Sequence, residues 1–131
     1  MREILFRGKR LDNGEWYYGS YLFLHISSVN WTGAKMGKPE DVHYIVNDQD
    51  INYAVYPSTV GQYTGLKDKN GKLIFEGDIL LFRAGRTHVV RFEDGAFILE
   101  DTAIPIPFAI KSEIIGNVHD NPELIKEEAQ P

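Results

Sequence analysis

Three short polar turns constrain this chain more than any other feature. Asp12-Asn13-Gly14, Lys69-Asn70-Gly71 and Glu93-Asp94-Gly95 each stand between two apolar stretches. An Asn-Gly or Asp-Gly pair in that setting is a strong local hairpin signal, because the favoured tight turn needs positive φ. The flanks agree: Ile4-Leu5-Phe6 and Trp16-Tyr17-Tyr18, Val60 to Tyr63 and Leu73-Ile74-Phe75, Val89-Val90-Arg91-Phe92 and Phe97-Ile98-Leu99. Val, Ile, Thr, Phe, Tyr and Trp number 42, against 17 for Ala and Leu together. That excess favours strands, since branched and aromatic side chains lose rotamer freedom in a helix. The pattern predicts ten strands, over 3–7, 15–24, 42–47, 52–56, 59–64, 72–75, 78–83, 87–92, 96–100 and 113–118. A short helix is expected at the end, with Asn121 as cap, Pro122 in its first position and Glu123 at the positive end of its dipole. Residues 26–41 read as a long exposed loop. Pro105 and Pro107 restrict any strand over 101–110 to an edge or irregular one.

Composition removes several function classes. The 131 residues suffice for one ordinary domain or two very small ones, with 43% hydrophobic and 25% charged residues. No apolar run is long enough to cross a membrane as a helix, and Met1-Arg2-Glu3-Ile4-Leu5-Phe6-Arg7 is too short in apolar content for a signal peptide. With no cysteine there is no disulfide, thiolate metal site or thiol nucleophile, which fits a cytoplasmic setting. A net charge of -5 disfavours a dedicated duplex-DNA binder.

The chain also matches itself. Residues 6–18 align without a gap on residues 63–75, sharing an aromatic start, two glycines, the Asn-Gly turn and the apolar triplet after it. One inserted residue later, Gly19-Ser20-Tyr21-Leu22 pairs with Gly77-Asp78-Ile79-Leu80. His43-Tyr44-Ile45-Val46 resembles His88-Val89-Val90-Arg91, and Thr59 to Tyr63 resembles Ile114 to Val118. Four matches in one order predict an internal duplication: a first β-unit over 1–62, a second over 63–121, and a short helical tail over 122–131. Units this small are marginal alone and should share a core. The expected architecture is mainly β, with small SH3-like barrels, because closure removes exposed strand edges. A barrel of this size fills with side chains and leaves little room for a substrate pocket.

No pattern of reactive side chains points to catalysis. His25, His43, His88 and His119 have no metal-ligand spacing, and Asp48-Gln49-Asp50 lacks the rest of a calcium loop. There is no serine elbow, nucleophile–base pair or phosphate-cradling glycine loop. The expectation is a non-enzymatic protein with no catalytic residue, metal or cofactor. Two binding surfaces are suggested instead. Trp16, Tyr17, Tyr18 and Tyr21, with Phe23 beyond, put aromatics on both faces of one strand, so the face turned from the core offers an interface and a homo-oligomer is expected. Arg83, Arg86 and Arg91 fall on one predicted hairpin and, with Lys67 or Lys72, offer the alternative of a nucleic-acid-binding module. The acidic total favours a protein partner over nucleic acid, and no membrane association is expected.

Three blocks carry a family resemblance. Phe6-Arg7-Gly8-Lys9-Arg10 with Gly14-Glu15-Trp16 resembles the opening of the YopX family. Val60 to Lys72, then Ile74-Phe75-Glu76-Gly77-Asp78-Ile79, is similar to its distinctive central block, and Ile115 to Leu124 resembles its closing motif. The resemblance implies a phage or prophage protein of mostly-β fold with SH3-like character, working in the bacterial cytoplasm. It brings no catalytic residues and no established activity. Read together with the residues, it leads to the expectation of an accessory protein that acts by protein–protein contact, with a bacterial host factor as a candidate partner.

Overall fold

A computed structural model gives the fold and describes residues 4–26, 40–83, 85–100 and 106–125. The loop predicted over 26–41 lies almost wholly outside those residues, as do 101–105 and 126–131. Ten antiparallel strands form among the described residues: β1 Phe6–Lys9, β2 Trp16–Ile26, β3 Glu40–Val46, β4 Asn52–Ala54, β5 Gly61–Lys67, β6 Leu73–Phe75, β7 Asp78–Leu81, β8 Thr87–Glu93, β9 Ala96–Leu99 and β10 Glu113–Asn117. Each has its counterpart among the predicted strands, with β1 and β5 lying two or three residues further along. β5 starts late because a 3-10 turn, Pro57–Thr59, precedes it. Thr59 closes that turn by donating its hydroxyl to the Tyr56 carbonyl at 2.6 Å and accepts the Lys9 backbone N–H at 2.9 Å.

The chain divides into two compact units, Leu5–Val60 and the residues from Gly61 onward. In the first, β1 to β4 form a meander in which Lys9 faces Trp16, Phe23 faces His43 and Ile45 faces Tyr53. Ile45 and Val55 are its buried apolar centre. Gly19 is needed for space rather than for its dihedral angles. A Cβ there would stand 2.1 Å from the Val46 carbonyl oxygen, a backbone atom that cannot swing aside.

The second unit pairs β5 with β6 and builds a four-stranded sheet in the order β10-β7-β8-β9. Ile74, Leu80, Val90, Leu99 and Ala109 pack into one buried cluster. Each of its larger aliphatic side chains contributes roughly 1.5–3 kcal/mol by leaving water. Asp68 supplies the polar counterpart. Its carboxylate is 5% exposed and accepts the backbone N–H groups of Asn70 (2.8 Å), Lys72 (2.9 Å) and Ile114 (3.0 Å). Two of these donors close the β5–β6 turn, and the third lies on β10. The Lys69 N–H, donated to the Ser112 carbonyl at 2.9 Å, fastens the same turn a second time. Burial opposes the charged carboxylate, but the three amide donors and nearby Lys72 outweigh it and hold its pKa below the usual 3.8.

The two matched hairpins differ in detail. Both place their aligned glycine at positive φ, Gly14 at 75° and Gly71 at 83°. Gly14 N–H bonds back to Arg10, whereas Gly71 N–H reaches Asp68, so the second loop is tighter. A register shift between Tyr63 and Lys67 separates the pairings further: Phe6 faces Gly19, but its aligned partner Tyr63 faces Phe75. β2 runs on unbroken for 11 residues, while β6 stops and the chain turns at Gly77 (φ 95°) to enter another sheet as β7. The aligned pair Gly19 and Gly77 is therefore glycine for two different reasons, close approach in one case and positive φ in the other.

Two expectations need correction. No closed barrel forms among the described strands: the order β10-β7-β8-β9 ends at β10 and β9 without joining. The chain reaches β10 through a 3-10 stretch, Ile106–Lys111, instead of a bridging strand. Pro107 has no N–H for a ladder, and Ser112 seals the stretch by donating both its N–H and its hydroxyl to the Ala109 carbonyl. The expected C-terminal helix is a single 3-10 turn, Pro122–Leu124, among the described residues. Asn121 does not cap it, because its side-chain oxygen accepts the Asn117 N–H at 3.2 Å.

Gly19→Ala should destabilise the protein by roughly 3 kcal/mol, since the intruding methyl must displace backbone. Urea unfolding measures this, and a variant as stable as the parent would contradict the packing described. Asp68→Asn keeps one acceptor but turns an N–H donor toward one of the three amides, at a cost of about 1–3 kcal/mol near neutral pH. The depressed pKa fixes the sign of the pH dependence. The carboxylate's contribution is complete above the unfolded value and is lost as pH falls through the lower folded one. The stability gap between parent and Asp68→Asn should accordingly narrow below about pH 4. A gap that stays constant down to acid unfolding would rule out this role.

Candidate functional site

The aromatic strand β2 divides between engaged and exposed side chains. Trp16 is half-buried with the Arg7 guanidinium carbon 4.5 Å and the Lys9 ammonium 5.6 Å from its ring centroid. Tyr17 is half-buried too, donating its hydroxyl to the Ile51 carbonyl at 2.9 Å and meeting Tyr53 edge-on at 4.9 Å. Arg10 lies 3.5 Å over the Tyr53 ring and is paired with Asp12 at 2.6 Å. The hydrogen bond from Arg10 holds the Asp12 carboxyl below its ordinary range. Tyr21 packs against Phe6 and shares a hydrogen bond with His43 Nδ1. Of the four aromatics singled out in the sequence, Tyr18 is the most exposed, at 46%.

Exposure concentrates instead at the outer half of the strand. Leu22, Phe23 and Leu24 are 43%, 50% and 44% exposed. Successive strand residues point to opposite faces, so Phe23 stands on one face and the two leucines on the other. Phe23 rests edge-on against His43 at 5.0 Å. The sequence signal for these positions was the uninterrupted run Tyr21-Leu22-Phe23-Leu24, which gives neither face a polar residue.

The basic residues are arranged differently from the expectation. Arg91 is half-buried and ion-paired to Glu100 at 2.8 Å. Arg83 and Arg86 are exposed on the turn between β7 and β8, and Lys67 and Lys72 are exposed near the β5–β6 turn. Arg83 is brought together with Lys69 and Lys111, two cations the sequence reading passed over. With Leu81, Phe82 and Glu113 they line a cleft of about 390 Å³ in the second unit. Lys69 and Glu113 are 3.8 Å apart, and the Lys111 ammonium lies 5.5 Å from the Phe108 ring centroid. No sequence spacing signals this cluster, because its members come from three elements.

None of the four histidines lines that cleft. His25 pairs with Asp41 on the surface at 2.8 Å, and His88 lies edge-on to Phe82 at 5.5 Å. His43 faces Phe23 on β2, and His88 faces Leu80 on β7. Among the described residues no group of three potential metal ligands occurs, and no helix is long and apolar enough to cross a membrane. The closing block forms a knot of local hydrogen bonds. Asn117 accepts the N–H groups of His119 and Asp120 and donates to the Asp120 carboxylate at 3.1 Å.

The crystal structure of protein EF1440 from Enterococcus faecalis is similar to this fold, with a TM-score of 0.58 and 26% sequence identity over 96% of this chain and 100% of that one. No functionally curated protein matches the chain. The model of the YopX protein family matches residues 5–126, an extent that takes in the opening block, the central block and the closing knot alike, and the chain belongs to that family.

Proposed function

We propose that this chain is a non-enzymatic accessory protein of a phage or prophage that works by protein–protein contact in the bacterial cytoplasm, with the outer half of β2 as its contact surface. The observation that carries the reading is the exposure of Leu22 and Leu24 on one face of β2 and of Phe23 on the other, all within the half of the strand that pairs with β3. Interfaces place apolar and aromatic residues at their centre, and a few such residues dominate the binding energy. The same surface is where a homo-oligomer would form. The nucleic-acid alternative through Arg83, Arg86 and Arg91 is less well supported, because Arg91 would have to leave Glu100 to reach a phosphate.

We also read the two units as diverged copies of one ancestral β-unit. Supporting this are the shared hairpin, the aligned glycines at positive φ, and the common order of the matched segments. In the second unit the last strand returns beside β7 after a 3-10 stretch, which supports an SH3-like relationship for that unit as an open sheet.

The test is capture from bacterial lysate by the parent protein and by a Leu22→Lys, Phe23→Lys, Leu24→Lys variant, with Arg83→Glu as control. These positions are solvent-facing, so a matched melting curve should verify that the variant folds. A protein held by the parent and by Arg83→Glu should be depleted at least tenfold by the triple variant, the size expected for loss of an interface centre. Equal capture by parent and triple variant would contradict the assignment of this surface.

A further inference from the structure

We infer that the cleft lined by Lys69, Arg83 and Lys111 is a binding site for the phosphate group of a small phosphate monoester of nucleotide size. The inference stands independently of the protein-contact reading, since it concerns other residues and the other unit.

Three positive side chains and one negative one line the cleft, in a chain whose formal net charge is -5. Cations gathered into one concavity repel each other, and an anion entering it relieves that repulsion. Among the described residues Arg83 has no acidic partner within ion-pair distance, so its planar fork is available for two parallel hydrogen bonds to phosphate oxygens. Lys69 meets Glu113 only at 3.8 Å, with both side chains about half exposed, which leaves its ammonium donors to spare. Lys111 lies against the Phe108 ring, a contact that leaves its three ammonium donors to spare. Leu81 and Phe82 supply an apolar wall, and a volume of about 390 Å³ is at the lower end of the range for small-molecule sites. Such a space suits a phosphate together with a compact organic group.

The backbone beneath the cleft is fixed before any ligand arrives. Lys69 follows Asp68, whose carboxylate accepts two hydrogen bonds within the turn and one from β10, and its own N–H is tied to Ser112. Ser112 stands between Lys111 and Glu113. Glu113 is in register with Leu81, two residues before Arg83. A site resting on such a network binds without first having to order its main chain.

Amide-resolved NMR titration with adenosine monophosphate, inorganic phosphate and adenosine, at constant ionic strength set with sodium chloride, tests the inference. Adenosine monophosphate should perturb the amides around Lys69, Arg83 and Lys111, and adenosine should bind at least tenfold more weakly. Inorganic phosphate should perturb the same amides. Arg83→Glu should weaken adenosine monophosphate about tenfold or more, the loss expected for a charge-assisted hydrogen bond. Glu113→Gln should strengthen it several-fold by removing the one negative lining charge. Each position is solvent-facing, and unchanged spectra elsewhere in the protein would show that the fold persists. Perturbations that chloride alone reproduces, that adenosine matches, or that survive Arg83→Glu would overturn the site.

Discussion

A carboxylate shut away from water must find donors, and Asp68 finds three in the backbone. Two lie in the turn that joins β5 to β6 and one lies on β10, 46 residues further along the chain. One side chain thereby sets both the geometry of a hairpin loop and the place where the last strand begins. Without those donors the charge would be too costly to bury. Without the charge, the three amides would lose the acceptor that gathers them. The apolar cluster of Ile74, Leu80, Val90, Leu99 and Ala109 supplies most of the unit's driving force, but hydrophobic burial is not directional. Asp68 gives that cluster a unique frame.

The first unit reaches its shape by other means. Its meander turns on the close approach of Gly19 to Val46 and on Val55, whose N–H bonds to the His43 carbonyl while its side chain lies under Gly8. A cation lies over the ring of Trp16, Tyr17 meets Tyr53 and Tyr21 meets Phe6, so much of the aromatic content of β2 is spent on internal packing. What remains in solvent, besides Tyr18, is the far end of the strand, and the contact surface proposed here follows from that remainder. The two proposed binding surfaces, one apolar and one cationic, belong to different units and different chemistries.

How far the sequence foretold this depended on the range of the interaction. Asp94-Gly95 was fully legible: both residues take positive φ, at 51° and 83°, and Glu93 faces Ala96 across a two-residue turn. In the other two turns only the glycine does so. Their loop lengths differ because Asp68 organises one of them, whereas Leu11 stands at its aligned place in the other and the neighbouring Asp12 is taken by Arg10. Period-two patterning located the strands but could not say which edges would meet, so closure into a barrel was expected where the chain instead passes through Ile106–Lys111. The cleft was illegible for the same reason. Lys69 and Lys111 are neighbours only through the bond from Lys69 to Ser112, and nothing in either local sequence announces it. Aromatic identity drew attention to Trp16 and Tyr17, whose rings are engaged within the unit, while the exposed Leu22 and Leu24 carry no such signal.

The central physical claim is that Asp68 is buried as a charged, triply bonded carboxylate. Its side-chain carboxyl carbon, followed by NMR through an acid titration, tests this directly. The account predicts a midpoint below 3.8, with the amide resonances of Asn70, Lys72 and Ile114 moving at the same pH. A midpoint above 3.8, or amides that ignore the titration, would show that burial dominates and that the carboxylate does not hold these elements together.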